Sequence, residues 1–294
     1  MAFSVNTNAG AMAALQSLNS TNKSMNTVQS RINTGFNVAS TKDDSAKYTV
    51  AQTLRGDLGK LSAVTTSLNN AKSVTDVAVA GAEQISDLVN QMKSKTLETS
   101  DAGLDAESRK AIAKDLVALK KQIGTIIDGS DFNGTNLLKG TAATTDGKVS
   151  ALQSISGAET LTVANQGFTT KAETAFGAWG ATPSNTDIDA ISSAADGDAA
   201  KTAADAFTAK LDTFFGEVKD SLSEMGAASR QIDGQLSFNS KLTDVVTAGV
   251  GNLVDADLAK ESAKLQALQV QQQLGTQALS IANQAPQTIL SLFR

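Results

Sequence analysis

Leu258–Arg294 carries the sequence LAKESAKLQALQVQQQLGTQALSIANQAPQTILSLFR, and its seven-residue periodicity decides the fold. Apolar and small residues recur in two rows, of which the first is Leu258, Leu265, Gln272 and Leu279 and the second is Leu268, Gly275, Ala282 and Ile289. Rows offset by three and four residues share one face of a helix. The stretch therefore predicts a long amphipathic helix.

This helix keeps its apolar character to the end of the sequence, at Ile289, Leu290, Leu292 and Phe293. Chain termini are usually polar and frayed unless another surface holds them in place. We therefore expect this end of the helix to pack against a partner surface, whose position the rest of the sequence must indicate.

A matching pattern opens the chain. One row consists of Ala11, Leu18, Met25 and Ile32, and the adjoining row of Ala14, Thr21 and Val28. The pattern stops at Asn33-Thr34-Gly35, which is typical of a helix end. The simplest partner for the C-terminal helix is this N-terminal one, in an antiparallel pair. Periodicity alone does not distinguish an ordinary intramolecular bundle from an interface between copies of the chain, because both bury an apolar helix face.

Two further helices follow. Seven-residue rows from Val50 to Met92 predict a helix of about 60 Å, at 1.5 Å per residue. A second helix is predicted from Asp105 to Gly129, and the short connection around Gly103 predicts that the two are antiparallel.

The helical spacing of apolar residues stops after Gly129. Asn133-Gly134 is a turn signal, 140–180 is expected to be β-rich or irregular, and 182–204 is expected to be loop or linker. Helical spacing returns at Leu211, and Gly249 and Gly251 are expected to separate that helix from the last one.

The predicted fold is mainly α: a long antiparallel helical bundle or coiled-coil rod built by the two halves of the chain, with a small β-rich or irregular centre. Three domains are predicted: a terminal helical domain (1–40 and 252–294), a helical rod (41–139 and 205–251) and a small insert (140–204).

Composition narrows the function. The net charge of -5 argues against a nucleic-acid partner. No apolar run approaches the about 20 residues that span a bilayer, so no membrane partner is expected. The sequence contains neither Cys nor His, and its N-terminus lacks the features of a cleavable secretory signal. With no nucleophile constellation, we expect no catalytic site and no cofactor. The paired aspartates of 187–198 fit a solvated loop better than a metal site.

Four segments carry a family resemblance. They are NTNAGAMAALQSLNSTN (Asn6–Asn22), RINTGFNVASTKDDSAKYTVAQTLRGD (Arg31–Asp57), FNGTNLL (Phe132–Leu138) and ANQAPQTILSLFR (Ala282–Arg294). In this order they resemble bacterial flagellins of the short alphaproteobacterial type. The middle, 140–204, matches weakly.

The resemblance implies an extracellular structural subunit of the flagellar filament, used in swimming. Such subunits are exported unfolded by a type III apparatus with an export chaperone, and they add at the filament tip in contact with cap and hook-associated proteins. We expect 2–35 and 252–294 to order only on assembly. The polymerisation interface is predicted to comprise Leu15, Leu18, Met25, Val28, Ile32, Leu265, Leu268, Leu279, Ile289, Leu290, Leu292 and Phe293.

Other functions compete with that of a filament subunit. Some flagellins carry a zinc protease with an H-E-x-x-H motif, which a chain without His lacks. A hook–filament junction protein is the nearest alternative, and a coiled-coil chaperone or secretion-apparatus tip protein is a further one. The resemblance also predicts an altered innate-receptor face at Gln91, Lys93 and Lys95. There Gln91 replaces an Arg and Lys95 replaces a Leu of enteric flagellins, which would weaken binding.

Overall fold

A computed structural model describes residues 7–140, 147–178 and 184–292, with side chains as far as residue 284. Within these ranges the chain forms seven helices: α1 (Ala9–Thr34), α2 (Ser45–Thr99), α3 (Ala106–Gly129), α4 (Phe168–Phe176), α5 (Thr186–Ser192), α6 (Gly197–Val254) and α7 (Leu258–Leu292). Strands β1 (Val149–Leu152) and β2 (Thr160–Val163) form one antiparallel pair. The predicted mainly-α class with a small β-containing centre is confirmed.

Local signals set several of the helix ends. Helix α1 ends where Gly35 adopts a left-handed conformation (φ 73°), which glycine accepts without steric cost. Helix α3 begins after Asp105, whose side chain accepts a hydrogen bond from the Ser108 backbone N–H at 2.8 Å. That bond and a second one from the Ser108 hydroxyl lower the pKa of Asp105.

The Asn-Gly turn is also present. Asn133 and Gly134 both have positive φ, and the backbone groups of Phe132 and Thr135 exchange two hydrogen bonds of 3.0 Å across it. This is the geometry of a type I′ hairpin turn.

One prediction about the middle of the chain was wrong, and another was incomplete. The segment 182–204, expected to be loop or linker, contains α5 and the first turns of α6. Helix α5 is only seven residues long, and it is held by burial of Ile188 and Ile191 rather than by its own periodicity. The 140–180 region, besides its two strands, contains α4, which buries Phe168 and Phe176. Short helices depend on packing, which a local pattern does not reveal.

The predicted break at Gly249 and Gly251 was also wrong, since α6 runs through both glycines to Val254. A glycine in a helix interior costs about 1 kcal/mol. Burial of Val250 and Val254 in a small apolar cluster offsets this cost. The chain leaves the helix at Asp255 instead.

The chain divides into two compact units. The first comprises residues 1–58 and 243–294, and the second comprises residues 59–242. The three-domain division made from the sequence stays a prediction.

The second unit holds the larger core. Apolar side chains of α2, α3, α4 and α6 pack there around the rings of Phe168, Phe176 and Phe214. The Phe214 ring meets the other two edge-on, with centroid separations of 6.1 Å and 5.3 Å. Edge-to-face contacts of this kind add to the burial energy of the rings.

Helices α2 and α3 are antiparallel, as predicted. Gln91 and Lys95 of α2 line one shallow groove with Asp115 and Leu119 of α3. Farther from the connection, Gly81 lies against Ser130. Residue numbers along α2 therefore fall as those along α3 rise, so the two helices run in opposite directions.

Gly81 gives the first testable prediction. A Cβ added there would contact the Ser130 hydroxyl and would lie 3.0 Å from a methyl of Leu138. We expect Gly81→Ala to lower the free energy of unfolding by about 1–3 kcal/mol, because the core has no room for the methyl group. The measurement is urea unfolding followed by circular dichroism.

Gly234 is the matched control, since it lies within α6 and nothing approaches its added Cβ within 4 Å. Gly234→Ala should raise the free energy of unfolding by about 0.5–1 kcal/mol through helix propensity. Equal stabilisation by both substitutions would contradict the packing described at Gly81.

Candidate assembly surface

Helices α1 and α7 form an antiparallel pair within the first unit. The Asn8 side chain donates to the Ala282 carbonyl at 2.7 Å, and Gln272 donates to the Asn22 side-chain oxygen at 2.7 Å. At the other end of the pair, Arg31 lies 3.4 Å from Glu261. Contacts that rise along α1 and fall along α7 define the antiparallel direction.

The two predicted helical seams are the shielded stripes of this pair. Val28 is buried, with 1% of its surface exposed. Six further predicted interface residues are half-buried: Leu18, Met25, Ile32, Leu265, Leu268 and Leu279. The structure therefore uses these residues to hold α1 and α7 together within one chain.

The remaining predicted interface residues lie elsewhere. Leu15 is exposed and off the seam. The side chains of Ile289, Leu290 and Leu292, and all of Phe293, lie outside the described residues, so their role stays a prediction.

Helices α1 and α7 approach each other closely, but the interface between them is small. Where Gly275 faces Leu18, an added Cβ would lie 3.3 Å from a Leu18 methyl. Small residues such as Ala14 and Ala282 occupy other seam positions. Within α1 only Thr21 and Val28 are fully buried. Such a seam buries little apolar surface, so its own contribution to stability is small.

The ion pair between Arg31 and Glu261 joins α1 to α7. Glu261 is buried and receives Arg31 on one carboxylate oxygen, while its other oxygen has no hydrogen-bond partner among the described residues. A buried pair satisfied on one side only adds little to stability. This too leaves the α1–α7 pair marginal by itself.

A second apolar stripe of α7 is exposed. Val270, Leu274 and Ile281 recur at spacings of four and seven residues, which places them on one face away from the seam. Leu274 is 59% exposed and Ile281 is 69% exposed. On α1, Met12 and Leu15 are exposed apolar side chains as well. We call these five residues the terminal stripe.

Four of the five terminal-stripe residues were not predicted from the sequence: Met12, Val270, Leu274 and Ile281. Their spacing is visible in the sequence, but two apolar rows on one helix do not indicate which row meets the neighbouring helix. An exposed apolar row such as Val270, Leu274 and Ile281 is the kind of surface that marks an interaction site.

The predicted receptor face lies on α2 in the second unit. Lys93 pairs with Asp212 at 2.5 Å and lies 5.0 Å from the centroid of the Phe215 ring. Lys95 pairs with Glu98 at 3.0 Å, and Gln91 is exposed. Both lysine side chains are therefore engaged within the chain.

Neither a metal centre nor a membrane segment emerges from the part of the chain that the structure describes. No group of three or more acidic side chains there could hold a metal ion. None of the described helices is long and apolar enough to cross a membrane.

Comparison with known proteins then decides the family. The family model described as the bacterial flagellin N-terminal helical region matches residues 5–144, and the one described as the C-terminal helical region matches residues 208–293. The chain belongs to the bacterial flagellin family. As a flagellin it is a structural subunit of a flagellar filament.

Relatives that match over nearly their full length support the same family. The chain is 43% identical to flagellin FljK of Caulobacter vibrioides over 99% of its own length and 98% of that protein. It is 38% identical to a flagellin of Brucella melitensis over 99% of both chains. A hook–filament junction protein is accordingly not favoured.

Among solved structures, a flagellar hook-associated protein from Vibrio parahaemolyticus is similar in fold. It has a TM-score of 0.57 and 16% sequence identity, covering 72% of this flagellin and all of that chain. At that identity the likeness concerns the fold alone.

Proposed function

We propose that this flagellin polymerises through α1 and α7 into the filament used for swimming, and that the terminal stripe is an interface between copies. The observation that carries the proposal is the exposed apolar row Val270, Leu274 and Ile281 on the outer face of a pair that is already closed on its inner face. In a monomer this row would remain in water.

The free energy of burying the exposed apolar side chains favours assembly over a permanent monomer. Full burial of a Val, Leu, Ile or Met side chain is worth about 1.5–3 kcal/mol. Burial of five such side chains per copy would add to what the half-buried α1–α7 seam contributes. We therefore propose that 2–35 and 252–294 are unfolded in the free subunit and become ordered on assembly. Limited proteolysis of dilute monomer tests this, and protease-resistant termini would contradict it.

We further propose an export route and partners. A chain without Cys and with marginal terminal helices suits passage in an unfolded state. The proposed partners are a type III export apparatus, an export chaperone, and the cap and hook-associated proteins at the filament ends. The proposed location is extracellular, in the flagellar filament. Loss of secretion in cells that lack the flagellar export apparatus is the expected result.

Electron microscopy of concentrated protein tests the function itself. We expect long helical filaments after seeding with sheared fragments. Discrete oligomers would instead favour a coiled-coil chaperone or a secretion-apparatus tip protein.

The altered receptor face gives a separate proposal. Lys95 places a charge where enteric flagellins carry a Leu, and Gln91 stands where they carry an Arg, so the flagellin-sensing Toll-like receptor should respond weakly. The measurement is a reporter-cell dose response with monomer. Restoring the two residues by Gln91→Arg with Lys95→Leu should raise potency, whereas potency equal to an enteric flagellin before substitution would refute the proposal.

A further inference from the structure

A lysine amine and an asparagine carboxamide meet inside the second unit. Lys120 of α3 is 2% exposed, and its Nζ lies 3.0 Å from Oδ1 of Asn185, the residue that precedes α5. The same Nζ donates to the Ala178 carbonyl at 3.0 Å and to the Ser184 carbonyl. All three acceptors are amide oxygens. The fold therefore holds an amine against a carboxamide.

The Asn185 side chain is turned toward Lys120 rather than toward its own helix. Asn185 is the N-cap residue of α5, a position in which Asn usually accepts a hydrogen bond from the first turn. Its side chain makes no such bond. The backbone of Asn185 is fixed, because its carbonyl accepts from the Asp189 N–H at 2.7 Å and the next turn is anchored by the buried Ile188. The carboxamide is thus committed to the amine.

The two reacting atoms, Lys120 Nζ and Asn185 Cγ, are close. Because a carbonyl bond is about 1.23 Å long, Cγ lies no more than about 4.2 Å from Nζ. Reacting atoms in a productive arrangement are about 3–3.5 Å apart. A movement of about 1 Å, which a small rotation of either side chain supplies, brings Nζ to that distance.

Burial also favours the reactive form of the lysine. Only the neutral amine is a nucleophile. Burial lowers the pKa of Lys120, whereas the charges of Asp189, Asp187 and Glu173 act in the opposite direction. Asp187 is itself engaged by Lys210, at 2.8 Å from each carboxylate oxygen. A lowered pKa increases the fraction of neutral amine at any pH below it.

The backbone acceptors orient the neutral amine. Loss of one proton leaves Nζ with two N–H groups and a lone pair. The carbonyls of Ala178 and Ser184 accept hydrogen bonds and donate none, so they retain the two N–H groups. The third direction, toward Asn185, is then taken by the lone pair. Deprotonation therefore aims the nucleophile at the carboxamide.

We propose that Lys120 and Asn185 form an intramolecular isopeptide bond in the folded chain. A bond forms between Lys120 Nζ and Asn185 Cγ, the bond between Cγ and Nδ2 breaks, and the side-chain nitrogen leaves as ammonia. One amine proton passes to the departing nitrogen, and the carboxylates of Asp189 and Glu173 can relay it. The reaction involves no oxidation or reduction and consumes no other reactant.

The bond would form only after folding, because 65 residues separate the two side chains. It would join α3 to the start of α5 and enclose β1, β2 and α4 in a covalent loop. Closing a long loop lowers the entropy of the unfolded chain, so the urea midpoint of the cross-linked chain should be higher. The reaction does not depend on assembly into a filament.

Mass spectrometry of the natural chain tests the proposal. Folded protein kept at about pH 9 should lose the mass of one ammonia, and more slowly at about pH 7, where less of the amine is neutral. Tryptic digestion should then release a branched peptide that joins Lys120 to Asn185. Protein kept in urea should retain its full mass, because the two side chains do not meet there.

Three variants provide the controls. Lys120→Arg keeps a buried cation but has no amine, and it should retain its full mass. Asn185→Ser removes the carboxamide from a half-buried position and should retain its full mass as well. Lys121→Arg changes the exposed neighbour on the same turn and should react like the natural chain. Circular dichroism verifies that each variant is folded.

The position of the lost ammonia decides the outcome. Asn133-Gly134 is a second possible source, because an Asn-Gly sequence can release ammonia by closing to a succinimide. A loss that maps to Asn133, or that persists in Asn185→Ser, would overturn the proposed bond. A folded natural chain that keeps its full mass would overturn it too. None of these results bears on filament formation, so the two proposals fail separately.

Discussion

Leu274→Glu should abolish filament formation while leaving the subunit folded. Leu274 lies in the middle of the exposed row on α7, between Val270 and Ile281. A carboxylate buried there between copies would lack a partner, and burying an unpaired charge costs several kcal/mol. In the free subunit the same side chain stays in water, so the helical signal of the second unit should not change. The measurement is seeded polymerisation by turbidity and electron microscopy.

Gln269→Glu is the control for this prediction. Gln269 is exposed on the same helix but lies on neither the terminal stripe nor the seam. It introduces the same charge, and we expect filaments at nearly the natural critical concentration. If Leu274→Glu polymerises like Gln269→Glu, the terminal stripe is not an interface between copies.

Lys120→Met should produce the largest loss of stability in the second unit. Lys120 is 2% exposed, and its ammonium donates to the Ala178 carbonyl at 3.0 Å and the Asn185 side chain at 3.0 Å, with a third bond to the Ser184 carbonyl. Methionine would remove the donor of all three bonds, and the Ala178 carbonyl would keep only its bond from the Ser184 backbone N–H at 2.8 Å. A cost of about 2–5 kcal/mol is expected, measured as a fall in the urea midpoint.

The neighbouring Lys121 provides a matched control, because it is exposed on the same turn of α3. Lys121→Met should change the free energy of unfolding by no more than about 0.5 kcal/mol. Burial lowers the pKa of Lys120, and the nearby Asp189, Asp187 and Glu173 act in the opposite direction. Equal midpoints for the two variants would show that the ammonium holds nothing in place.

The buried lysine illustrates what a sequence pattern misses. Lys120 sits among the apolar residues of α3, although lysine side chains in soluble proteins are rarely buried. Its three partners are about 60 positions away: Ser184 and Asn185 in the segment predicted as loop or linker, and Ala178 in the segment predicted as β-rich or irregular. Helical spacing places Lys120, unlike Lys121, on the buried face of α3 with Leu116 and Ile123. Only the tertiary structure shows which acceptors satisfy its ammonium there.

The small helices show the same limit. The periodicity of α1, α2, α3 and α7 extends over many turns, so the sequence alone predicted their existence and most of their ends. Helices α4 and α5 have too few turns for a period to be recognised, and they form because Phe176 and Ile188 are buried against other elements.

By itself the sequence determined the helical class and the antiparallel pairing of the two chain ends, because seven-residue spacing and turn signals act locally. The flagellin family followed from the resemblance of four segments, not from periodicity. Only the tertiary structure decided which apolar row of α7 closes on α1 and which row, Val270, Leu274 and Ile281, is left exposed. The physical reason is that periodicity specifies a helix face but not its neighbour. A row becomes core or surface only when the chain has brought another element against it.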